Sequence, residues 1–459
     1  MKLLTGNILF TIAALLLIMY APDYYSYDFC LMTAWLFIIQ NAIYFVFRRD
    51  RSIVGFEFFF MIAFWFTNFV YPLFYFQTDP SIGAFAMSYN QNIISKATAI
   101  AYLAYSAYFV GLSFFEIKRF DFKVFEVDKN FESTSRKVFF ITIVFFLLYI
   151  VTGGHKVMAD VYSGDASLED QGISSYFYMI FFSSSILLTI FLFSEQIQKK
   201  YKIQHIGLIV FIFLLFMILG SRTLPLALGL AVLVSYNNYK YKIPASVFFL
   251  LIVIGAALMT FVVFARGGSL TNEGYFQDAI NNMQINSFWD FGMDLIINNR
   301  NLYTLVDFAD NQGYTFGLTM LGGFLSPVPF LQGFVCNTFG IPPDFIGSAS
   351  FNTFLEFGPG STWGLGTNLV ADVYLAFGTF GIMFFFLTVG LLLGKAKIAS
   401  SGSLYWNIFY FFLVSNSVYW LRSGFFDSFR YLIWAIVIVF VLNIKFNQKK
   451  SSEINVLEE

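Results

Sequence analysis

Long apolar runs, separated by short charged or Gly/Pro/Asn-rich breaks, recur along the whole chain. Twelve of them lie near residues 5–21, 28–47, 53–76, 94–115, 138–152, 174–194, 206–220, 224–236, 246–265, 369–394, 404–421 and 430–446. A helix of roughly 17–25 apolar residues crosses a bilayer core. The pattern therefore predicts an all-α polytopic membrane protein with about twelve transmembrane helices. Residues 1–265 would carry helices 1–9, residues 266–368 one large loop, residues 369–446 helices 10–12 and residues 447–459 a tail. The first run lacks a small-x-small cleavage site and feeds directly into the second, so it reads as a retained helix.

Charge placement orients these spans. Lys and Arg accumulate in cytoplasmic loops. With the N-terminus inside, 20 of the 27 basic residues fall in cytoplasmic segments, and both termini are expected in the cytoplasm. Seven remain outside: Lys96, Lys156, Arg222, Arg266, Arg300, Arg422 and Arg430. Five of these seven are arginines, in contrast to the mostly lysine inner set. Arg222, Arg266, Arg422 and Arg430 stand at predicted span ends, where the charge rule disfavours them. A guanidinium is a planar fork of donors that suits phosphate and stays charged in any environment.

Composition reinforces the class. The chain is 58% apolar and 12% charged, against about 25% charged in soluble proteins. Two cysteines, Cys30 and Cys336, give no disulfide framework. The sequence contains no DxD, HExxH, Cys/His pair or P-loop, so neither a metal nor a cofactor is expected. No nucleic-acid partner is expected either.

Several residues could carry chemistry, and each has a plainer reading. Arg222 in "GSRT" could bind an anion at the membrane surface or anchor a helix end in the interface. Arg266 in "ARGGS" precedes two glycines that let backbone amides approach an anion, or simply closes a helix. Arg422 and Arg430 flank the last outer turn with Asp427 between them, as a cationic lip or as a surface ion pair. Arg300, in "IINNRNLY", could bind phosphate or face solvent on a loop helix. Asp372 and Tyr374 occupy the first turns of span ten. An ionisable residue at that depth is a functional candidate, although Asp372 also suits a helix N-terminus. A histidine ordinarily titrates near neutral pH, so His155, with Glu356, is a further candidate base.

The loop is varied in composition. It opens with one or two amphipathic helices rich in Asn, Asp and aromatics. An uncharged stretch follows, "FGLTMLGGFLSPVPFLQGF", which would be re-entrant or lie on the membrane surface, because Pro327 and Pro329 disfavour a full span. Amides and aromatic rings are the usual lining of a sugar site, and Tyr374 is placed in that role.

The Ser-Arg at a short outer turn, the segment "GTNLVADVYLAFGTFGI", the final "LRSGF" turn and the single large outer loop together resemble the Wzy-type O-antigen and oligosaccharide repeat-unit polymerases. The resemblance implies a metal-independent, GT-C-like fold in the bacterial inner membrane. It implies polymerisation of undecaprenyl-pyrophosphate-linked oligosaccharide repeats at the periplasmic face, with membrane lipid as surroundings. A chain-length regulator as partner is left open. Arg222, Arg266 and Arg422 correspond to the family's outer arginines by motif, and Arg300 and Arg430 by location. The R-x10-G pattern of some members is not met: Gln277 and Asn311 stand where it would place glycine. Asp372 leads His155 and Glu356 as the candidate catalytic group.

Two other functions compete. An O-antigen ligase would share donor and fold but tends to carry a loop histidine, and residues 266–368 contain none. A transporter or lipid-linked oligosaccharide flippase would place its polar residues near mid-membrane, whereas here they gather in the loop.

Overall fold

In the computed structural model, residues 2–48, 52–115, 131–163, 172–192, 197–265, 287–361, 364–400 and 402–442 are described, and every regular element among them is helical. The N-terminal part comprises α1 (Lys2–Met19), α2 (Tyr27–Phe47), α3 (Phe56–Asn68), α4 (Ile94–Ser113) and α5 (Phe131–Val151). It continues with α6 (Gly154–Ser163), α7 (Ser174–Leu192), α8 (Lys199–Ile218), α9 (Thr223–Tyr239) and α10 (Ala245–Ala265). The loop region folds into five short helices: α11 (Met293–Ile296), α12 (Asn299–Gln312), α13 (Leu321–Leu325), α14 (Leu331–Phe339) and α15 (Ser348–Phe357). The chain returns through α16 (Leu369–Ala399), α17 (Leu404–Asn416) and α18 (Phe429–Val441).

Each of the twelve apolar runs contains a helix, and seven of these helices are long and apolar enough to cross a membrane. Others are shorter than a bilayer core: α3 and α18 have 13 residues each, or about 20 Å at 1.5 Å per residue. After α3 the chain continues through a π-helical turn, Tyr71–Tyr75, and after α17 through a 3-10 turn, Tyr419–Arg422.

The core of the bundle is the crossing of α16 on α4. Gly111 of α4 and Gly390 of α16 face one another there, and a Cβ on either would collide with the other helix's backbone. Small residues at a crossing let two backbones approach, which is how apolar helices associate without a hydrophobic driving force.

Helix α16 is broken at Gly378, whose φ of 61° and ψ of −153° lie where only glycine sits without strain. The break frees two carbonyls. Leu375 accepts the Thr315 N–H at 2.9 Å and Ala376 accepts that of Phe316 at 3.0 Å. The Tyr314 ring fills the space a side chain at 378 would need. Residues 369–376 are wholly buried, and outward exposure begins at Phe380. Asp372 and Tyr374 therefore sit on a segment enclosed by the loop helices.

Asparagines tie the loop to the bundle. Asn368 caps α16 by accepting the Val370 N–H at 2.8 Å, and its amide donates to Asn68 of α3 at 3.1 Å. Asn301 donates to the Leu365 carbonyl at 2.9 Å, and Asn352 donates to Asn301 at 2.9 Å. The amides expected to line a sugar site are thus spent, at these positions, on fixing the loop's path.

Candidate active site

Gly220 ends α8 with φ of 78°, and the Ser221 N–H returns to the Phe216 carbonyl at 2.9 Å. The left-handed glycine reverses the chain at once, and α9 starts at Thr223 with Pro225 in its first turn, where a missing N–H costs nothing. Arg222 is left at the crest of the hairpin. Its side chain is nearly buried, because it folds inward onto Asp294 of α11 (Nη2 to Oδ1, 2.6 Å).

The second hairpin, between α17 and α18, brings two more arginines. Its turn is held by backbone donors on carboxylates. Gly424 N–H donates to Asp427 Oδ2 at 2.7 Å, and Phe425 N–H donates to Asp372 Oδ2 at 2.7 Å. Trp420 Nε1 closes the turn on the Phe425 carbonyl at 3.0 Å. So held, Arg422 reaches the other oxygen of Asp294, and its guanidinium lies 5.6 Å from the Tyr419 ring centre. Arg430, at the start of α18, lies 4.8 Å from the Tyr431 ring centre and donates to that hydroxyl at 2.9 Å. Its Nε has no hydrogen-bond partner among the described residues.

Arg222, Arg422 and Arg430, with Thr223, Asn416, Tyr419 and Asp427, line one cleft of about 210 Å³. The lining holds three guanidiniums against one carboxylate, Asp427, and two of the guanidiniums share Asp294, so positive charge is in excess at the cleft. Burial alone would raise the Asp294 carboxyl. Arg422 and Arg222 outweigh that and hold it below the usual carboxylate range. The cleft therefore presents fixed forks of donors at a hairpin end, the arrangement that binds phosphate oxygens.

The other expected residues lie elsewhere. Arg300 is fully buried and donates to Glu356 at 2.5 Å and to the Ser88 carbonyl at 2.9 Å, so these two form a pair inside the loop region. Tyr374 donates to Asp310 at 2.8 Å, and Asp310 also pairs with Lys96 at 2.7 Å. His155 sits at the start of α6 and does not line the cleft. Asp372 is buried beneath the turn and acts on its backbone. Arg266 lies outside the described residues. Asp294, which joins the two hairpins, was not among the expected residues. The sequence offers only an isolated acid in the apolar "FGMDLII" as a hint.

The family described as O-antigen polysaccharide polymerase Wzy matches residues 7–450, nearly the whole chain. The chain belongs to this family. It is therefore a membrane polymerase of polysaccharide biosynthesis. No curated protein and no solved structure matches the chain.

Proposed function

We propose that the polymerase joins oligosaccharide repeat units carried on undecaprenyl pyrophosphate, working at the periplasmic face of the inner membrane with both termini in the cytoplasm. The observation that carries this reading is the convergence of Arg222, Arg422 and Arg430, from two separate hairpins, on one cleft. A diphosphate whose lipid tail stays in the bilayer and whose sugars project outward would rest there.

In this reaction the anomeric carbon of the donor glycan leaves the diphosphate oxygen and bonds to a hydroxyl oxygen of the incoming repeat. The guanidiniums stabilise the negative charge that develops on the departing diphosphate. The hydroxyl proton passes to a carboxylate. Asp427 is the carboxylate in the cleft lining and is assigned that role, while Asp372 supports the turn that carries it. Attack from the face opposite the leaving group inverts the anomeric centre.

The test is a deletion strain complemented with wild type or Arg222→Ala, read as the ladder of surface polysaccharide, with protein level measured alongside. Wild type restores the ladder, and the variant, at normal abundance, leaves single repeats on their acceptor. Full-length chains retained on the lipid carrier after deletion would identify a ligase instead. Repeats retained at the cytoplasmic leaflet would identify a transporter.

A further inference from the structure

The stretch 311–343 contains 33 consecutive residues without Asp, Glu, Lys or Arg. In the fold it forms α13 and α14 and their connections, and it turns a set of large apolar side chains outward. Phe324, Phe330, Phe334 and Phe339 are 65%, 68%, 65% and 72% exposed, and Phe316 and Val328 are exposed as well. An apolar patch of this kind marks an interaction surface.

Its attachments say where that surface lies. The Phe330 N–H donates to the Tyr176 hydroxyl at the start of α7 at 2.9 Å. The Phe324 ring packs on Phe426, with centroids 5.7 Å apart, just before α18. Thr315 and Phe316 bind the broken turn of α16, beyond which Phe380 and Phe384 face outward. The patch thus runs along the ends of α7, α16 and α18, and continues the outward-facing sides of α16 and α18, where Phe380, Phe384, Ile433 and Val437 are exposed.

We propose that residues 316–339 are a membrane-interface wedge, with the phenylalanines of α13 and α14 inserted among lipid headgroups and upper acyl chains. The partner is bilayer lipid, because the patch is continuous with the faces of membrane-spanning helices and carries no charge to hold it in water. The depth is interfacial. Short helices, Pro327, Pro329 and the turns between them leave backbone groups that hydrocarbon cannot satisfy, whereas aromatic side chains settle at headgroup level. Gly323 lies against Asp427, so the wedge also sets the arginine cleft at the depth of lipid phosphates. The inference needs only that the protein is embedded in a membrane, and it stands apart from the reaction proposed for the cleft.

A nitroxide attached at Phe334→Cys, in a Cys30→Ser, Cys336→Ser background in lipid nanodiscs, tests it. Labels at Asn311→Cys and Phe384→Cys serve as water and lipid references. The label at 334 should collide with oxygen in preference to a water-soluble nickel chelate, as at 384. Collision with the chelate as at 311, or protection from both reagents as in a contact with a second protein copy, would overturn the proposal. Should the cysteine-free background not fold, a photoactivatable phospholipid is applied to the unmodified protein. Adducts are expected on peptides from 321–339. Their absence while α16 is labelled near 380–384 would refute the wedge.

Discussion

Asp294 takes Arg222 on one carboxylate oxygen, at 2.6 Å, and Arg422 on the other. Two helical hairpins far apart in sequence are thereby joined through one side chain of the loop region. Removing it takes away the carboxylate that both guanidiniums share.

The first prediction concerns that charge. A carboxyl whose folded pKa is depressed contributes stability that is present above its unfolded value and lost as pH falls through the folded one. Asp294 is depressed by Arg422 and Arg222 against the opposing effect of burial. Asp294→Asn should therefore melt below wild type at pH 7, by the equivalent of about 1–3 kcal/mol. The gap should close as pH falls below about 4, the ordinary aspartate range. Thermal melts of purified protein between pH 7 and pH 3 check this, and a gap that stays constant would show that the charge is not what matters.

A second prediction separates charge from shape at Arg222. Lysine keeps the charge but is a point donor, not a planar fork. Arg222→Lys should keep the protein folded yet shorten the polysaccharide ladder, with polymer yield down about tenfold, the equivalent of roughly 1.4 kcal/mol. A full-length ladder from the lysine variant would mean that a diffuse positive charge is sufficient.

The two acids of the second hairpin are distinguished by a third experiment. The Asp372 carboxylate accepts an N–H from Phe425, a bond the carbonyl of asparagine can also accept. If Asp372 positions the turn, Asp372→Asn retains activity within about tenfold while Asp372→Ala loses both activity and stability. If it were the base, both variants would lose about 10²–10⁴-fold. Asp427→Asn is expected to show that larger loss. Polymer formation from purified lipid-linked repeats, measured across pH, is the readout.

The sequence was most legible where one residue's surroundings along the chain decide its place. Apolar runs became helices, and the arginines singled out at predicted span ends fall at the hairpins of Arg222 and of Arg422 and Arg430. Partnerships across the chain were not legible. Asp294 lies 72 residues from Arg222 and 128 from Arg422, and nothing in its own neighbourhood announces either. Arg300 and Glu356 looked like independent candidates until folding paired the buried arginine with the half-buried glutamate. Asp372 read as an acid at a membrane surface because the break at Gly378, which lifts its segment among the loop helices, is a backbone event one glycine cannot advertise.

The last prediction lies at the opposite end of the bundle. Lys397, near the end of α16, pairs with Glu57, at the start of α3, at 2.7 Å, and both are buried. The Tyr44 hydroxyl donates to the same carboxylate at 3.4 Å. The pair pins α16 to α3, while α16's other end supports the cleft through Asp372. A buried pair gains little over an apolar pair of equal volume, but a single deletion strands a charge at a cost of about 3–5 kcal/mol. Lys397→Met should therefore lower the melting temperature sharply, and Glu57→Gln should do so less, since the amide keeps hydrogen bonds. The double variant Glu57→Gln, Lys397→Met should recover part of the loss, because the charges of the pair itself are gone while buried Arg48, which also acts on Glu57, keeps its own. If the double variant melts as low as Lys397→Met alone, the pair contributes through a specific attraction and not through mutual neutralisation.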